Sequence, residues 1–205
     1  MPRPENERVM TEKLLEFQYK TSEPVTALRT RIYDCVEGIS LGFEHYDETH
    51  SKGPGLYVAI ISNRSVAPFA EPMGSNRWPT ETCPVIDETT DTFYPAAKTV
   101  AGSQDGGVCV GVDGTILEQM VRFKNVRDDE LPAGVSVSDL EYADWMGARH
   151  MSAYETSLRP DVVTTITLSE ETGRITVFED GEYETIPRSR IGDPWRGKGS
   201  GDTEQ

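Results

Sequence analysis

The run Val162-Val-Thr-Thr-Ile-Thr-Leu168 does most to narrow what this chain can fold into. Every residue but the last is β-branched, and such side chains are stiff about χ1 and sit well on a pleated surface. Glu171-Thr-Gly173 is a turn signal, Ile175 to Phe178 returns as a partner strand, and Asp180-Gly181 turns the chain again. A lone hairpin is not stable in water, so more strands must join it. Two further apolar runs supply them: Leu56 to Ile61, and Val108-Cys-Val-Gly-Val112. Both read as buried strands. Asp113-Gly114 is a hairpin signal, and Ile116 to Val121 reads as the strand that follows it.

Helical spacing accounts for other apolar residues. After Pro24, Leu28, Ile32, Cys35, Val36 and Ile39 recur on one helical face, with Ser22 or Thr26 at the capping position and Gly38 and Gly42 near the end. Val9, Leu14 and Phe17 fit an earlier helix loosely, behind a frayed stretch 1–8. Phe93 to Val100 reads as a short helix. Ser138 with Glu141 resembles a capping box for a helix from Leu140 to Thr156, which Pro160 cannot extend. Residues 44–55, 63–91 and 126–137 read as loops, and the middle one is long enough to suggest function. The expected architecture is α/β, a single globular domain with a central mixed β-sheet flanked by helices. The expected division is 1–20 as an N-terminal extension or helix, 21–190 as the globular domain and 191–205 as a disordered tail.

Charge excludes several function classes. The 205 residues hold 35 Asp and Glu against 20 Lys and Arg, a formal charge of -15. Such a surface repels nucleic acid and anionic membranes. Its acidic excess, with arginine as the main base, fits a salt-rich cytoplasm, where repulsion is screened; an ordinary acidic cytosolic protein has the same features. Cys35, Cys83 and Cys109 form neither a CxxC pair nor a disulfide framework. No apolar segment follows the early charges Arg3, Glu5, Glu7 and Arg8, and no run is long enough to span a bilayer. A soluble cytoplasmic protein is expected, with neither nucleic-acid nor membrane partners.

Three segments combine turn glycines with reactive side chains. In Gly111-Val-Asp-Gly-Thr115 an aspartate follows a buried strand, where its carboxylate suits a hard cation; the plain alternative is a hairpin turn. In Gly147-Ala-Arg-His-Met151 adjacent Arg149 and His150 can donate to different phosphate oxygens; the alternative is a surface arginine beside a packed histidine. In Leu168-Ser-Glu-Glu-Thr-Gly173 a serine and a glutamate open a tight turn, which can equally be a solvated acidic hairpin.

Taken together, in this order, the three segments resemble the signature of the diadenylate cyclase family. That signature is a DGA turn, a G(T/S)RHR segment on a helix, and SEE(T/R)G after a strand. The resemblance spans residues 106–181, and acidic archaeal members with a similar RHM variant are the nearest in pattern. It implies condensation of two ATP into cyclic di-AMP with loss of two pyrophosphates. It further implies two domains face to face, as a homodimer or larger assembly, and Mn²⁺ or Mg²⁺. Carried over by position, Asp113, Arg149 and His150 are catalytic. Gly114, Thr115, Gly147, Arg149, His150, Ser169 and Glu170 contact the nucleotide, and Asp113 and Glu170 hold metal. Thr115, Ala148 and Met151 depart from the pattern, and Met151 removes a positive charge. A weakened relative that only binds ATP or senses cyclic di-AMP is the alternative.

Overall fold

The computed structural model describes residues 20–46, 52–62, 65–87, 91–131 and 134–192. The suggested helix around residues 9–17 and residues 193–205 of the expected tail 191–205 lie outside them, while Ile191 and Gly192, the first two residues of that tail, are buried.

Among the described residues seven strands and three α-helices make an α/β fold. Strands β1 (Leu56–Ile61), β3 (Val108–Gly111), β5 (Val162–Leu168), β6 (Ile175–Glu179) and β7 (Glu182–Ile186) form a sheet in the order β3-β1-β5-β6-β7. The sheet is mixed: β1 and β3 run parallel, while β5, β6 and β7 follow as antiparallel neighbours. Every residue of β1 and of β5 is buried. That is what a central strand covered on both faces requires.

The pleat sorts β1 between two cores. Leu56, Val58 and Ile60 face helices α1 (Glu23–Leu41) and α2 (Phe93–Ser103), packing with Ile32, Val36, Ala97 and Val100. Tyr57, Ala59 and Ile61 face the other way, onto Ala153 of helix α3 (Ala148–Ser157) and onto Phe69, Val121 and Phe123. Strands β2 (Ala70–Arg77) and β4 (Gln119–Phe123) form a separate antiparallel ribbon on that second face. Buried threonines on β5 bond to their surroundings: Thr165 donates across the layers to the Ala153 carbonyl of α3 at 2.9 Å, and Thr164 donates within the sheet to the Phe178 carbonyl of β6 at 2.9 Å.

The two strands around Asp113-Gly114 build the expected hairpin only in an irregular form. The turn reverses the chain, and the Gly111 N–H donates to the Thr115 carbonyl at 2.8 Å. Isolated bridges link Val110 to Ile116 and Gly107 to Val121, but the chain then leaves the sheet and β4 pairs with β2. Strand β2 lies inside the expected loop 63–91, and β7 was not signalled by its polar sequence. The expected helix 140–156 starts late. Ser136, not Ser138, caps a single 3-10 turn at Val137–Asp139, and its N–H bonds the Asp139 carboxylate at 3.1 Å. Such local side-chain bonds compete with helix. The chain then packs Met146 into the core before α3 begins. Among the described residues no helix is long and apolar enough to cross a membrane.

Candidate functional site

The strand register decides which turns meet. Leu56 at the start of β1 pairs with Leu168 at the end of β5, so Ser169 and Glu170 emerge beside Gly55. Helix α3 starts at the same end. Gly147 occupies its N-cap position and offers no capping side chain, so the first-turn amides face outward with the positive end of the helix dipole. Gly147 is therefore not inside the helix, as the sequence suggested, but at its mouth.

Arg149, on that first turn, donates to the Glu170 carboxylate and to the Leu168 carbonyl, the latter at 3.4 Å. A Cβ at Gly55 would run into both side chains of the pair, so glycine is what lets them meet. His150, one position on, is buried, with its ring edge-on to Trp145 at 5.1 Å. Its Nε2 is buried without a hydrogen-bond partner. Burial, then Arg174 and Arg149, lower its pKa to about 4, so the imidazole is neutral at neutral pH. Ser169 is held in the turn, its Oγ accepting from the Thr172 N–H at 3.3 Å. These residues line one cavity of about 330 Å³, together with Trp145, Gly147, Glu171 and Arg174.

A second cavity of about 260 Å³ shares Ala148 and Arg149 with the first. Its wall includes Asp105, Gly106 and Gly107, which lead into β3, with Tyr57 and Ser152. Gly106 has φ +109, and a Cβ there would press on Met73 and the Val121 carbonyl. The backbone thus turns tightly where it lines this cavity.

Asp113 is not part of this convergence. Strand β3 runs parallel to β1, with Ile61 opposite Gly111, so Asp113 leaves at the other end of the sheet from Ser169. The length of β1 separates the two ends by about 17 Å, at about 3.3 Å per residue. The Asp113 carboxylate accepts from the Thr115 N–H at 3.0 Å, within its own turn. Gly114 has φ +81 and its carbonyl accepts from the Ile86 N–H at 2.9 Å, so it anchors the 83–87 loop. Thr115 bridges Val85 in the same place. Asp113 and Glu170 of one chain therefore cannot share a cation, and Arg149 already engages Glu170. Among the described residues no cluster of three His, Cys, Asp or Glu is placed to hold a metal.

Sequence reasoning missed Gly55, Asp105, Trp145 and Arg174. A signal for Asp105 exists: Asp105-Gly-Gly107 is a second acid–glycine turn, directly before an apolar strand. A larger cavity, about 590 Å³, lies between α1 and strands β6 and β7. Glu179, Glu182 and Glu184 line it, and Arg29 there is paired with Glu179 at 2.8 Å, so it repels a polyphosphate.

No family model matches the chain, and no curated protein matches it. Solved structures do resemble it loosely. One is a double-cysteine mutant of DacA from Staphylococcus aureus, at TM-score 0.47 and 17% identity, covering 86% of this chain and 97% of that one. Another is a hypothetical membrane spanning protein from Bacillus cereus, at TM-score 0.47 and 18% identity, covering 76% of this chain and 61% of that one.

Proposed function

We propose that this chain is a diadenylate cyclase: it binds ATP and, with a second copy face to face, joins two molecules into cyclic di-AMP. The observation that supports this reading is the meeting of Arg149 and His150, on the open first turn of α3, with Ser169 and Glu170 at the end of β5 around one cavity. Two of the three segments that carry the resemblance therefore converge. We reassign the acid of the third: Asp105, which lines the same cavity as Arg149, takes the role that the sequence gave to Asp113.

In this reading the α3 amides, Arg149 and the neutral His150 donor hold the phosphates. The Ser169 hydroxyl adds a hydrogen bond, and Glu170 holds Arg149 in place. Gly106 and Gly107 allow the ribose to approach the backbone. The 3'-hydroxyl of each nucleotide forms a bond to the α-phosphorus of the other. The bond to pyrophosphate breaks, and the hydroxyl proton passes to Asp105. The second, symmetric event closes the ring and releases the second pyrophosphate. Phosphoryl transfer of this kind needs alignment and charge neutralisation more than covalent chemistry. One chain cannot align two ATP symmetrically, hence the twofold pair. Asp105 fits a Mn²⁺ or Mg²⁺ ion of the kind that takes most of its oxygen ligands from substrate phosphates and water; such an ion, when bound, supplies charge neutralisation. A cytoplasmic location goes with an ATP substrate in this reading.

The test is product analysis after incubation with ATP and Mn²⁺. Cyclic di-AMP with two equivalents of pyrophosphate is expected, and intact ATP at the end of the reaction removes the cyclase reading. A binding-only relative is favoured by one observation: Met151 packs with Ala143, Trp145 and Tyr154 against the core and adds no charge to the site. Tight nucleotide binding without turnover would select that second reading.

A further inference from the structure

Arg174 sits where the hairpin leaves the site. Its carbonyl accepts from the Ser169 N–H at 2.9 Å, which places the two residues opposite each other across the β5–β6 turn. The guanidinium lies over the Trp145 ring, 4.7 Å from its centroid. Among the described residues it makes neither an ion pair nor a side-chain hydrogen bond. Arg149, by contrast, is tied to Glu170.

The charges around the cavity make this arrangement consequential. Its wall holds Arg149 and Arg174 against Glu170 and Glu171. Without Arg174 the wall would be net negative, on a chain whose formal charge is already -15. Beside it, the His150 Nε2 is buried and unpaired on the same wall. An unneutralised guanidinium on an aromatic face, next to an unsatisfied imidazole nitrogen, is an arrangement completed by an anion.

We propose that Arg174, held on Trp145, is the second phosphate-binding guanidinium of this site, supplying the charge that position 151 does not. Met151 cannot supply it, because its side chain packs against the core cluster and does not line the cavity. The inference deepens the nucleotide reading and rests on it for the identity of the ligand. The anion-binding role itself rests on the geometry of Arg174, Trp145 and His150. Arginine suits the position better than lysine, because a planar guanidinium both stacks on indole and forks to two oxygens.

The test is calorimetric titration of wild type, Arg174→Leu and Arg174→Lys with ATP, inorganic tripolyphosphate and adenosine. The Leu variant should bind ATP and tripolyphosphate about tenfold more weakly, as loss of one charge-assisted donor implies. The Lys variant should recover part of that loss. Adenosine affinity should not change, and the affinity of the Leu variant for tripolyphosphate should depend less on salt, an effect that a packing role for Arg174 would not produce. Equal binding of both polyphosphates by Arg174→Leu and wild type overturns the proposal. If wild type binds tripolyphosphate but not ATP, and the Leu variant loses it, the anion role stands and the nucleotide reading falls. If wild type binds neither, both are overturned.

Discussion

The Arg149 guanidinium donates to the Glu170 carboxylate across the gap between α3 and the β5–β6 turn, with the two side chains 24% and 27% exposed. The pair ties the helix mouth to the strand end, and a phosphate entering the cavity must share the guanidinium. Arg149→Ala should weaken ATP binding about tenfold or more, since a forked charged donor is lost. Glu170→Ala should cost less affinity, because the guanidinium stays but loses its support. A thermal-unfolding double-mutant cycle should give a coupling of about 1 kcal/mol or less, after allowance for solvent screening. Equal ATP affinity for Arg149→Ala and wild type would remove Arg149 from the site.

Asp105 and Asp113 make an internal contrast. Each precedes a glycine of positive φ, at opposite ends of β3. Asp105→Asn should abolish formation of cyclic di-AMP while leaving the melting temperature near that of wild type, because Asp105 is exposed. Asp113→Asn should leave turnover intact, because asparagine can still accept the Thr115 N–H. Quantifying product for both variants decides the assignment. Loss of turnover in Asp113→Asn alone would restore the acid that sequence reasoning chose.

Why the sequence alone pointed to Asp113 is physical. Strands and their burial were legible because Leu56–Ile61 and Val162–Leu168 are apolar or β-branched throughout, and only a doubly covered sheet buries such runs. The Arg149–His150 and Ser169–Glu170 segments were legible because each chemical side chain sits beside a glycine turn. Asp113-Gly114 offers the same local pattern as Asp105-Gly106. Only the parallel pairing of β3 with β1 determines which of them shares an end with Glu170, and pairing is a long-range property. The late start of α3 escaped notice because Ser136 and Asp139 satisfy each other locally. Strand β7 escaped notice because Glu182, Tyr183 and Glu184 are exposed on an edge strand, where no apolar pattern is needed.

Gly55 predicts a variant that acts through geometry alone. Any Cβ there meets the Glu170 Cγ and Oε1 and the Arg149 Nη1, all of them side-chain atoms that a change of rotamer can move. Gly55→Ala should therefore fold, with an unchanged circular-dichroism spectrum, but bind ATP several-fold more weakly because the pair is displaced. Glu170→Ala in the same background removes the more crowded partner and should bring part of the affinity back. Wild-type ATP affinity in Gly55→Ala would show that the Arg149–Glu170 contact does not shape the site.

His150 predicts a pH dependence with a definite sign. Burial, Arg174 and Arg149 depress its pKa to about 4, from an ordinary value near 6.5. Between those values the unfolded chain takes up a proton that the native site refuses. Stability from this residue is thus complete above about pH 6.5 and falls as pH drops toward 4. His150→Asn should flatten that part of the denaturation profile relative to wild type, and the difference between the two isolates it from carboxylate titration. A bound polyphosphate should raise the His150 pKa, which the imidazole NMR shifts would report. An imidazole that titrates near 6.5 in the free protein contradicts the burial on which the sign depends.

The overall charge of -15 sets the last expectation. At low salt this charge acts against compaction, and raising KCl from about 0.1 M to about 1 M shortens the Debye length from about 10 Å to about 3 Å. The melting temperature should rise across that range. KCl is the informative salt, because sulfate would stabilise any protein by exclusion from its surface. Affinity for ATP responds to two opposed effects. Screening relieves repulsion between the acidic surface and the polyphosphate, but it weakens the contacts with Arg149 and Arg174. Contacts inside a cavity are screened less than charges across open solvent, so affinity should first rise with KCl and fall only at the highest concentrations. A melting temperature independent of KCl would show that the acidic surface is not an adaptation to salt. A purely falling affinity would show that the local arginine contacts, not the surface field, govern the approach of the ligand.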